Sequence, residues 1–429
     1  MESLVNVNNI CFARYIGIMG LLLTSHFNAL AQDSLRLSLA QAEQLFIAQN
    51  LSLLAQQYHI DLAKASVIQA KLFNNPTLQF TLNAYNPENR RFFDTGKGTG
   101  QYVVDIQQLI RLAGKRNKEV ALAETDVMME ESRFFDLLRS LRFSLRSDFY
   151  QSYFLQHTLA GYVRQINNLE RLHSTYQQLL AKGVVTLKDA ARIKTMLYAR
   201  KAEYTSLQGQ LLDVNAELQL LIHNNKAWII PIIDTTRDSH LGQYALADLL
   251  DSAMANRQDL RLAQQSKHYS DQNYALQKAM AIPDLTIGAE FDKRGSSFDN
   301  ATLLSVAIDL PFFNRNQGNI KAAKLTIAQA KTELEQQQEK VENEVQNAYA
   351  KAIQADKLVQ AIEPHFMEQL EHLLQSVTDN FQNKNISLLE FVDFYDSYKD
   401  NMVQLNQLQN EKMQALEALQ FAVGTTIFY

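Results

Sequence analysis

Three acidic side chains stand near the start of helical segments, where a carboxylate can attract cations or accept hydrogen bonds from backbone N–H groups. Glu390 and Asp393 are three residues apart, so they share one face of a helix that begins near Ser387. The spacing Ser387-x-x-Glu390 is also that of a capping box. Asp189 follows Thr186 with the same spacing. Capping and cation attraction both stay open for Glu390, and capping is favoured for Asp189.

The other reactive residue types form no catalytic or metal-binding set. The nine histidines occur in no H-x-x-E-H or H-E-x-x-H arrangement. Gly96, Gly98 and Gly100 fall between two strand-like segments, which indicates a loop and not a phosphate site. With 41 basic and 46 acidic residues and no dense basic stretch, a nucleic-acid partner is also disfavoured. We therefore predict that the protein is not an enzyme and has no cofactor and no resident metal ion.

Residues 1–31 have the order of a secretory signal peptide. Arg14 precedes an apolar run from Tyr15 to Leu23, and Ala29-Leu30-Ala31 is a small-residue cleavage site. The only cysteine, Cys11, would be removed with this segment, so we expect an exported chain without disulfides or a lipid-anchored cysteine. No later segment has the apolar length of a transmembrane helix, so a membrane-spanning part would consist of β-strands.

The rest of the chain contains one motif twice, at residues 32–222 and 244–429, with a linker at 223–243. Each copy opens on a helical pattern that ends at a proline, Pro76 in the first and Pro283 in the second. Two alternating segments, a very long helical pattern and a shorter helix follow in both. Within the linker, the residues from Trp228 to Ile233 favour a strand.

The helical patterns pair by length. The long ones, about 114–181 and 318–382, would each measure roughly 100 Å, although Pro364 interrupts the second. Their apolar residues recur at steps of three and four, as in a coiled-coil seam. The shorter helices would each measure roughly 55 Å, so that two of them stacked match one long helix. They are expected at about 38–74, 187–222, 244–281 and 387–423.

Four segments of about nine residues alternate between apolar and polar side chains, and they lie at about 77–85, 102–110, 284–292 and 302–310. Nine residues suffice for a membrane-spanning strand, and one apolar face is the pattern of an outer-membrane barrel. By alternation alone, a half-buried hairpin packed on helices is the simpler interpretation. The hairpins fall at the helix ends, however, where little is available to pack against. Because four strands cannot close a barrel, we expect oligomerisation, and three copies would supply twelve strands.

This order of elements resembles the TolC-type outer membrane factors over about residues 38–424. The resemblance rests on the paired prolines, on the strand-to-helix corners at 110–116 and 310–315, and on the segments that end in Asp189 and Glu390. It implies a mostly α fold with a small β part, in which a homotrimer forms a twelve-stranded outer-membrane β-barrel continued by a periplasmic α-helical barrel. The compact length and the expected lack of an extended C-terminal tail are similar to the heavy-metal-cation (CzcC-like) branch.

The resemblance also implies a function and a site. Such proteins are exit ducts of tripartite efflux systems, with a periplasmic adaptor protein, an inner-membrane pump and outer-membrane lipid as partners. Their periplasmic aperture is closed around acidic side chains at the start of the last helix, where Glu390 and Asp393 stand here. These two residues, with Asp189, are therefore gate candidates. The alternatives are a periplasmic coiled-coil structural or adaptor protein and a type I protein-secretion duct.

Overall fold

Helices make up most of the fold, and a small set of strands lies at their ends. The computed structural model describes residues 34–233, 241–294 and 299–428, so the predicted signal peptide and the turn residues 295–297 lie outside the described residues. In chain order, the elements of the first half are β1 Ser34–Ser38, α1 Leu39–Gln49, α2 Leu51–Ala70, β2 Thr77–Leu82, β3 Tyr85–Asn86, β4 Arg91–Phe92, β5 Tyr102–Ile110, α3 Lys115–Ala181 and α4 Leu187–Leu221.

The second half repeats this order after the linker strand. Its elements are β6 Trp228–Ile232, a 3-10 turn at Leu241–Gln243, α5 Leu246–Asn256, α6 Gln258–Met280, β7 Leu285–Arg294, β8 Asp299–Ile308, α7 Gln317–Gln360, α8 Phe366–Gln382 and α9 Leu388–Val423. None of the helices in 34–233, 241–294 or 299–428 combines the length and the apolar character that a membrane crossing requires.

Each repeat opens on two helices, and our prediction of one continuous helix at about 38–74 and at about 244–281 is wrong. The break falls at Asn50 in the first repeat and at Arg257 in the second, where ψ is 120° and 118°. Both side chains cap the last helix of their own repeat. Asn50 Nδ2 donates to Leu221 O at 2.9 Å, and Arg257 Nη1 donates to Ala422 O at 3.0 Å. A hydrogen bond to a distant helix end leaves no trace in helical periodicity, which explains the error.

The long helices of the two repeats differ. α3 is unbroken, whereas the corresponding pattern in the second repeat is divided into α7 and α8. Proline disfavours a helical conformation in the residue before it, and α7 ends shortly before Pro364. His365 then has φ of 63° before α8 begins. The predicted coiled-coil seam of α7 is buried at four successive positions, Val341, Val345, Ala348 and Ala352.

The apolar core of the described residues follows the helices in separate clusters. One cluster joins β1 and α1 to α3, the end of α4 and β6, around Phe46, Leu145, Phe149 and Leu218. Its counterpart in the second repeat joins α5 and α6 to α7 and the end of α9. A third cluster joins the far ends of α3, α4, α8 and α9, around Leu169, Ile193, Phe391 and Tyr395. We call these far ends, near the turns at 182–186 and 383–387, the helix tip.

The linker strand has a partner that the sequence did not predict. β6 pairs in parallel with β1, with Ser34 opposite Trp228 and Ser38 opposite Ile232. Asn215 in α4 and Gln156 in α3 donate to Ile229 O at 3.1 and 3.2 Å, so this small sheet is attached to both helices. It ties the start of the first repeat to the linker that precedes the second.

Gly161, a glycine inside α3, allows α9 to approach closely. A Cβ added there would lie 2.3 Å from Met402 Sδ, whereas one added at Gly209 in α4 would meet no atom within 4 Å. Gly161→Ala is therefore expected to destabilise the fold by about 1–3 kcal/mol through overpacking. Gly209→Ala is expected to stabilise it by about 0.5–1 kcal/mol through helix propensity. Chemical denaturation followed by circular dichroism checks both, and a shift of the same sign in the two variants would remove the Met402 contact as the cause.

Candidate functional site: an apolar sheet face and an acidic helix tip

The two hairpins form one antiparallel sheet in the order β2-β5-β7-β8. Its register carries apolar residues straight across the strands, with Leu78 opposite Ile106, Ile106 opposite Ala289, and Ala289 opposite Leu304. A second row joins Ile110, Leu285 and Ile308. Because side chains alternate between the two faces of a strand, these rows share one face. We call it the apolar sheet face.

Among the described residues, none covers the apolar sheet face. Leu304 is 86% exposed, Val306 71% and Phe80 65%. The half-buried hairpin that alternation alone left open would have buried these residues against helices, so this alternative is wrong. A contiguous exposed apolar surface of this kind marks contact with lipid or with another protein.

The opposite face of the sheet is polar at its centre. Asp105 in β5 lies opposite Glu290 in β7 and opposite Gln79 in β2, and a row of Thr77, Gln107, Gly288 and Ser305 runs beside it. The outer strands β2 and β8 each pair on one side only among the described residues. The sheet therefore has two open edges, and open edges are unstable in lipid unless another strand completes them.

The strand-to-helix corners are fixed by salt bridges and by left-handed residues. Pro76 directly precedes β2 and Pro283 stands just before β7, so each proline ends a helix-to-strand connection. Gly114 and Asn316, with φ of 66° and 57°, precede the two long helices. The buried Lys115 Nζ reaches Asp284 Oδ1 at 2.7 Å, which ties the corner of the first repeat to that of the second.

At the helix tip, Glu390 and Asp189 are both hydrogen-bonded to the N-cap residue of their helix, and Glu390 completes a capping box. Glu390 Oε2 accepts from Ser387 N at 2.8 Å, while Ser387 Oγ accepts from Glu390 N at 3.2 Å, which completes the capping box. The hydrogen bond from the Ser387 backbone lowers the pKa of Glu390 below its usual value, so this carboxylate stays ionised. At Asp189 only half of such a box forms, because Thr186 Oγ1 accepts from Asp189 N at 3.2 Å but the Asp189 carboxylate accepts from the Thr186 hydroxyl, at 2.7 Å, and not from the backbone.

Asp393 occupies a different environment. It is exposed on the turn after Glu390, on the same face of α9. Within the helix tip, the starts of α4 and α9 are in contact, because Ile193 and Leu197 of α4 belong to one apolar cluster with Phe391 of α9. The structure thus places the acids of both repeats at one end of the molecule, with Asp189 and Glu390 in equivalent capping positions.

Sequence reasoning missed a charged cluster deeper in the tip. Arg200 of α4, only 5% exposed, forms an ion pair with Asp396 of α9 and donates to Glu203 Oε2 at 2.8 Å. Tyr162 of α3 donates to the same carboxylate at 3.0 Å. Burial, followed by the nearby charge of Glu203, raises the pKa of Tyr162, so it stays protonated and acts as a donor. The ion pair of Asp396 joins the two repeats.

The second repeat of the chain matches a known family. Residues 249–425 match the family model described as outer membrane efflux protein. This range begins in α5 and ends just after α9, so it covers the sheet strands β7 and β8 and the acidic part of the tip.

Curated relatives and solved structures agree with this match. The chain is 23% identical over 273 residues to the probable outer membrane lipoprotein SilC of Salmonella typhimurium, with 59% of this chain and 58% of SilC covered. It is 21% identical over 290 residues to the cobalt-zinc-cadmium resistance protein CzcC of Cupriavidus metallidurans, with 67% and 66% covered. The match thus spans less than two thirds of either relative. The crystal structure of the outer membrane protein VceC from Vibrio cholerae has the same fold, with a TM-score of 0.71 at 18% identity over 91% of this chain and 96% of that one.

The resemblance inferred from the prolines, the corners and the tip segments is therefore confirmed. The mostly α fold with its small sheet is the fold of outer membrane channels. The family model, the curated relatives and the fold thus agree: residues 249–425 match the outer membrane efflux protein family, and the chain as a whole has the fold of outer membrane channels.

Proposed function

We propose that three copies of this chain form the exit duct of a tripartite efflux system, with a twelve-stranded barrel in the outer membrane and a helical tunnel in the periplasm. The observation that carries the proposal is the exposed apolar sheet face, bounded by two open edges. Lipid would cover the face, and neighbouring copies would complete the edges. A periplasmic adaptor protein and an inner-membrane pump would supply cargo and energy, so the duct itself needs no catalytic group.

The internal repeat predicts how neighbouring copies meet. The β5–β7 contact joins the second strand of one repeat to the first strand of the other, so its counterpart is β8 of one copy against β2 of the next. Aligning Pro76 with Pro283, and Gly114 with Asn316, makes both hairpin registers coincide. The pair Gln107 and Gly288 in β5–β7 then corresponds to Asp309 of one copy and Thr81 of the next.

A disulfide tests this junction. Thr81→Cys with Asp309→Cys is expected to give linked dimers and trimers on a non-reducing gel of outer-membrane extracts. Within one copy β2 and β8 are separated by two strands, about 14 Å, which is beyond the reach of a disulfide. Thr81→Cys with Ser305→Cys is the control, because that pair is out of register by four residues, about 13 Å.

The outcomes separate the alternatives. A chain that remains monomeric in the soluble periplasmic fraction would contradict the duct and support the periplasmic coiled-coil protein. Equal cross-linking of both cysteine pairs would contradict the register that the repeat predicts.

We further propose that Glu390 and Asp393 form acidic rings at the closed periplasmic aperture. Glu390→Gln with Asp393→Asn would remove six charges from a trimer. Glutamine also serves in a capping box, so the helix start is kept. Block of single-channel current by divalent cations in planar bilayers should weaken about tenfold or more, as expected for loss of charged rings. Glu339→Gln with Glu342→Gln on α7 has the same spacing and charge change and should leave the block unchanged. Equal block in both double variants would exclude the acids from the gate.

For the cargo, we propose divalent heavy-metal cations. The support is the likeness to CzcC, a cobalt-zinc-cadmium resistance protein. Deletion of the gene should sensitise cells to these metals, measured as growth inhibition beside panels of detergents and antibiotics. Sensitivity confined to the detergents and antibiotics would indicate drug export. Loss of a secreted protein alone would indicate a type I duct.

A further inference from the structure

The helix-side end of the sheet carries exposed aromatic residues. Phe73 precedes β2, and Phe312 and Phe313 follow β8. Phe73 is 77% exposed and Phe313 94%. The register sets Thr77 opposite Gln107 and Leu285 opposite both Ile110 and Ile308, so all four strands reach this end together. We call this level of the molecule the rim.

Two arginines at the rim have no carboxylate partner among the described residues. The guanidinium of Arg116 lies 3.9 Å over the ring of Phe73. Arg315 is exposed, and in the described part of the chain its guanidinium donates to the carbonyl of Phe312, at 3.4 and 3.5 Å. A backbone carbonyl leaves the positive charge of the arginine uncompensated.

The neighbouring cations are already neutralised or bound. Arg111 forms a two-pronged ion pair with Glu119, and Lys115 forms a buried one with Asp284. Lys118 donates to Ala113 O at 2.9 Å. Arg116 and Arg315 are therefore cations without a carboxylate partner among the described residues, and both stand directly beside exposed phenylalanines.

We propose that the rim binds anionic phospholipid in the periplasmic leaflet of the outer membrane, with Arg116 and Arg315 on the head-group phosphates and Phe73 and Phe313 among the acyl chains. The proposal rests on the membrane position given to the sheet above. Arginine matches phosphate because its planar fork donates two parallel hydrogen bonds. Aromatic rings favour the boundary between head groups and acyl chains.

The junction between copies brings the two arginines to one place. When β8 of one copy lies against β2 of the next, Phe312 and Arg315 of the first copy stand at the same edge as Phe73 and Arg116 of the second. A closed ring would then have three such sites, each built by two copies. The two cations and the aromatic rings of a site would contact one lipid together.

A single-tryptophan reporter tests the proposal. Trp228 is the only tryptophan of the chain and lies in β6, outside the four-stranded sheet. Trp228→Phe with Phe313→Trp places the only reporter at the rim. The trimer is reconstituted in phosphatidylcholine vesicles that contain either brominated phosphatidylglycerol or brominated phosphatidylcholine, since bromine quenches tryptophan on contact. Half-maximal quenching should need at least about fivefold less brominated phosphatidylglycerol, because each arginine near an anionic membrane surface contributes about 1 kcal/mol.

Two sets of variants test whether the rim arginines cause the preference for phosphatidylglycerol. Arg116→Gln with Arg315→Gln should abolish the preference for phosphatidylglycerol while the maximal quenching remains. Lys351→Gln with Lys357→Gln, which also removes two positive charges but at exposed lysines far along α7, should keep the preference. Equal quenching by the two brominated lipids in the parent overturns the proposal and leaves the membrane position intact. No quenching by either lipid overturns the membrane position itself, and a preference retained in the double variant overturns the role of the arginines.

Discussion

Arg257→Ala is expected to lower the free energy of unfolding by about 3–5 kcal/mol, the cost of breaking a buried ion pair from one side. Arg257 is 2% exposed. Its guanidinium reaches Asp259 Oδ1 at 2.8 Å, Glu344 Oε2 at 2.7 Å and Ala422 O at 3.0 Å. Removing it leaves two carboxylates without this partner and the end of α9 without its cap. The break between α5 and α6 would also lose the contact that fixes it.

Denaturant unfolding of the detergent-solubilised protein, followed by far-ultraviolet circular dichroism, measures this loss. Arg261→Ala is the matched control, because Arg261 is exposed on the same helix, α6. The free energy of unfolding of this control should change by no more than about 0.5 kcal/mol, as for other surface substitutions. Equal shifts in the two variants would show that the network around Arg257 contributes nothing specific.

Asp396→Asn is expected to favour the open state of the tip. The Arg200–Asp396 ion pair joins α4 of the first repeat to α9 of the second, so separation of the two helix pairs must break it. Since the side chain of Asp396 is 47% exposed, the pair contributes only about 1 kcal/mol per copy. In a proposed trimer that opens as a unit, the three contributions add to about 3 kcal/mol, a population shift on the order of a hundredfold.

Single-channel recording in planar bilayers measures the open fraction. Asp213→Asn makes the same change at an exposed position of α4 away from the tip and should behave as the parent. A double-mutant cycle with Arg200→Gln isolates the pair from the packing of either residue. Open fractions equal to the parent in Asp396→Asn would exclude the ion pair as a closing contact.

The sequence predicted several of the points where helices and strands begin or end. Pro76 and Pro283, the alternation of the four strand segments and the Ser387-x-x-Glu390 box are local signals, because each acts within a few residues. The alternation also indicated which face of each strand is apolar, because a register shift by one residue would turn the apolar side chains to the other face. It left shifts by two residues open, so the register itself came from the structure.

The features that the sequence did not predict depend on tertiary contacts. Asn50 and Arg257 break their helices through bonds to residues far along the chain. Arg200 of α4 and Asp396 of α9 form an ion pair between two different helix pairs. Nothing in either sequence segment predicts which residue the other will contact. One signal was available, since Arg200 continues the apolar steps of Ile193 and Leu197. A charge at such a position needs a partner, because an unpaired buried charge is costly.

Each copy of the sheet has four strands, and this even number decides how rings can close. Its first and last strands run in opposite directions, so one copy can follow another with every seam antiparallel. Strand direction alone would thus permit two, three or four copies equally well. We expect the packing angle between the helices to set the number of copies in the proposed ring, so variants that alter this packing are the ones expected to change the width of its pore.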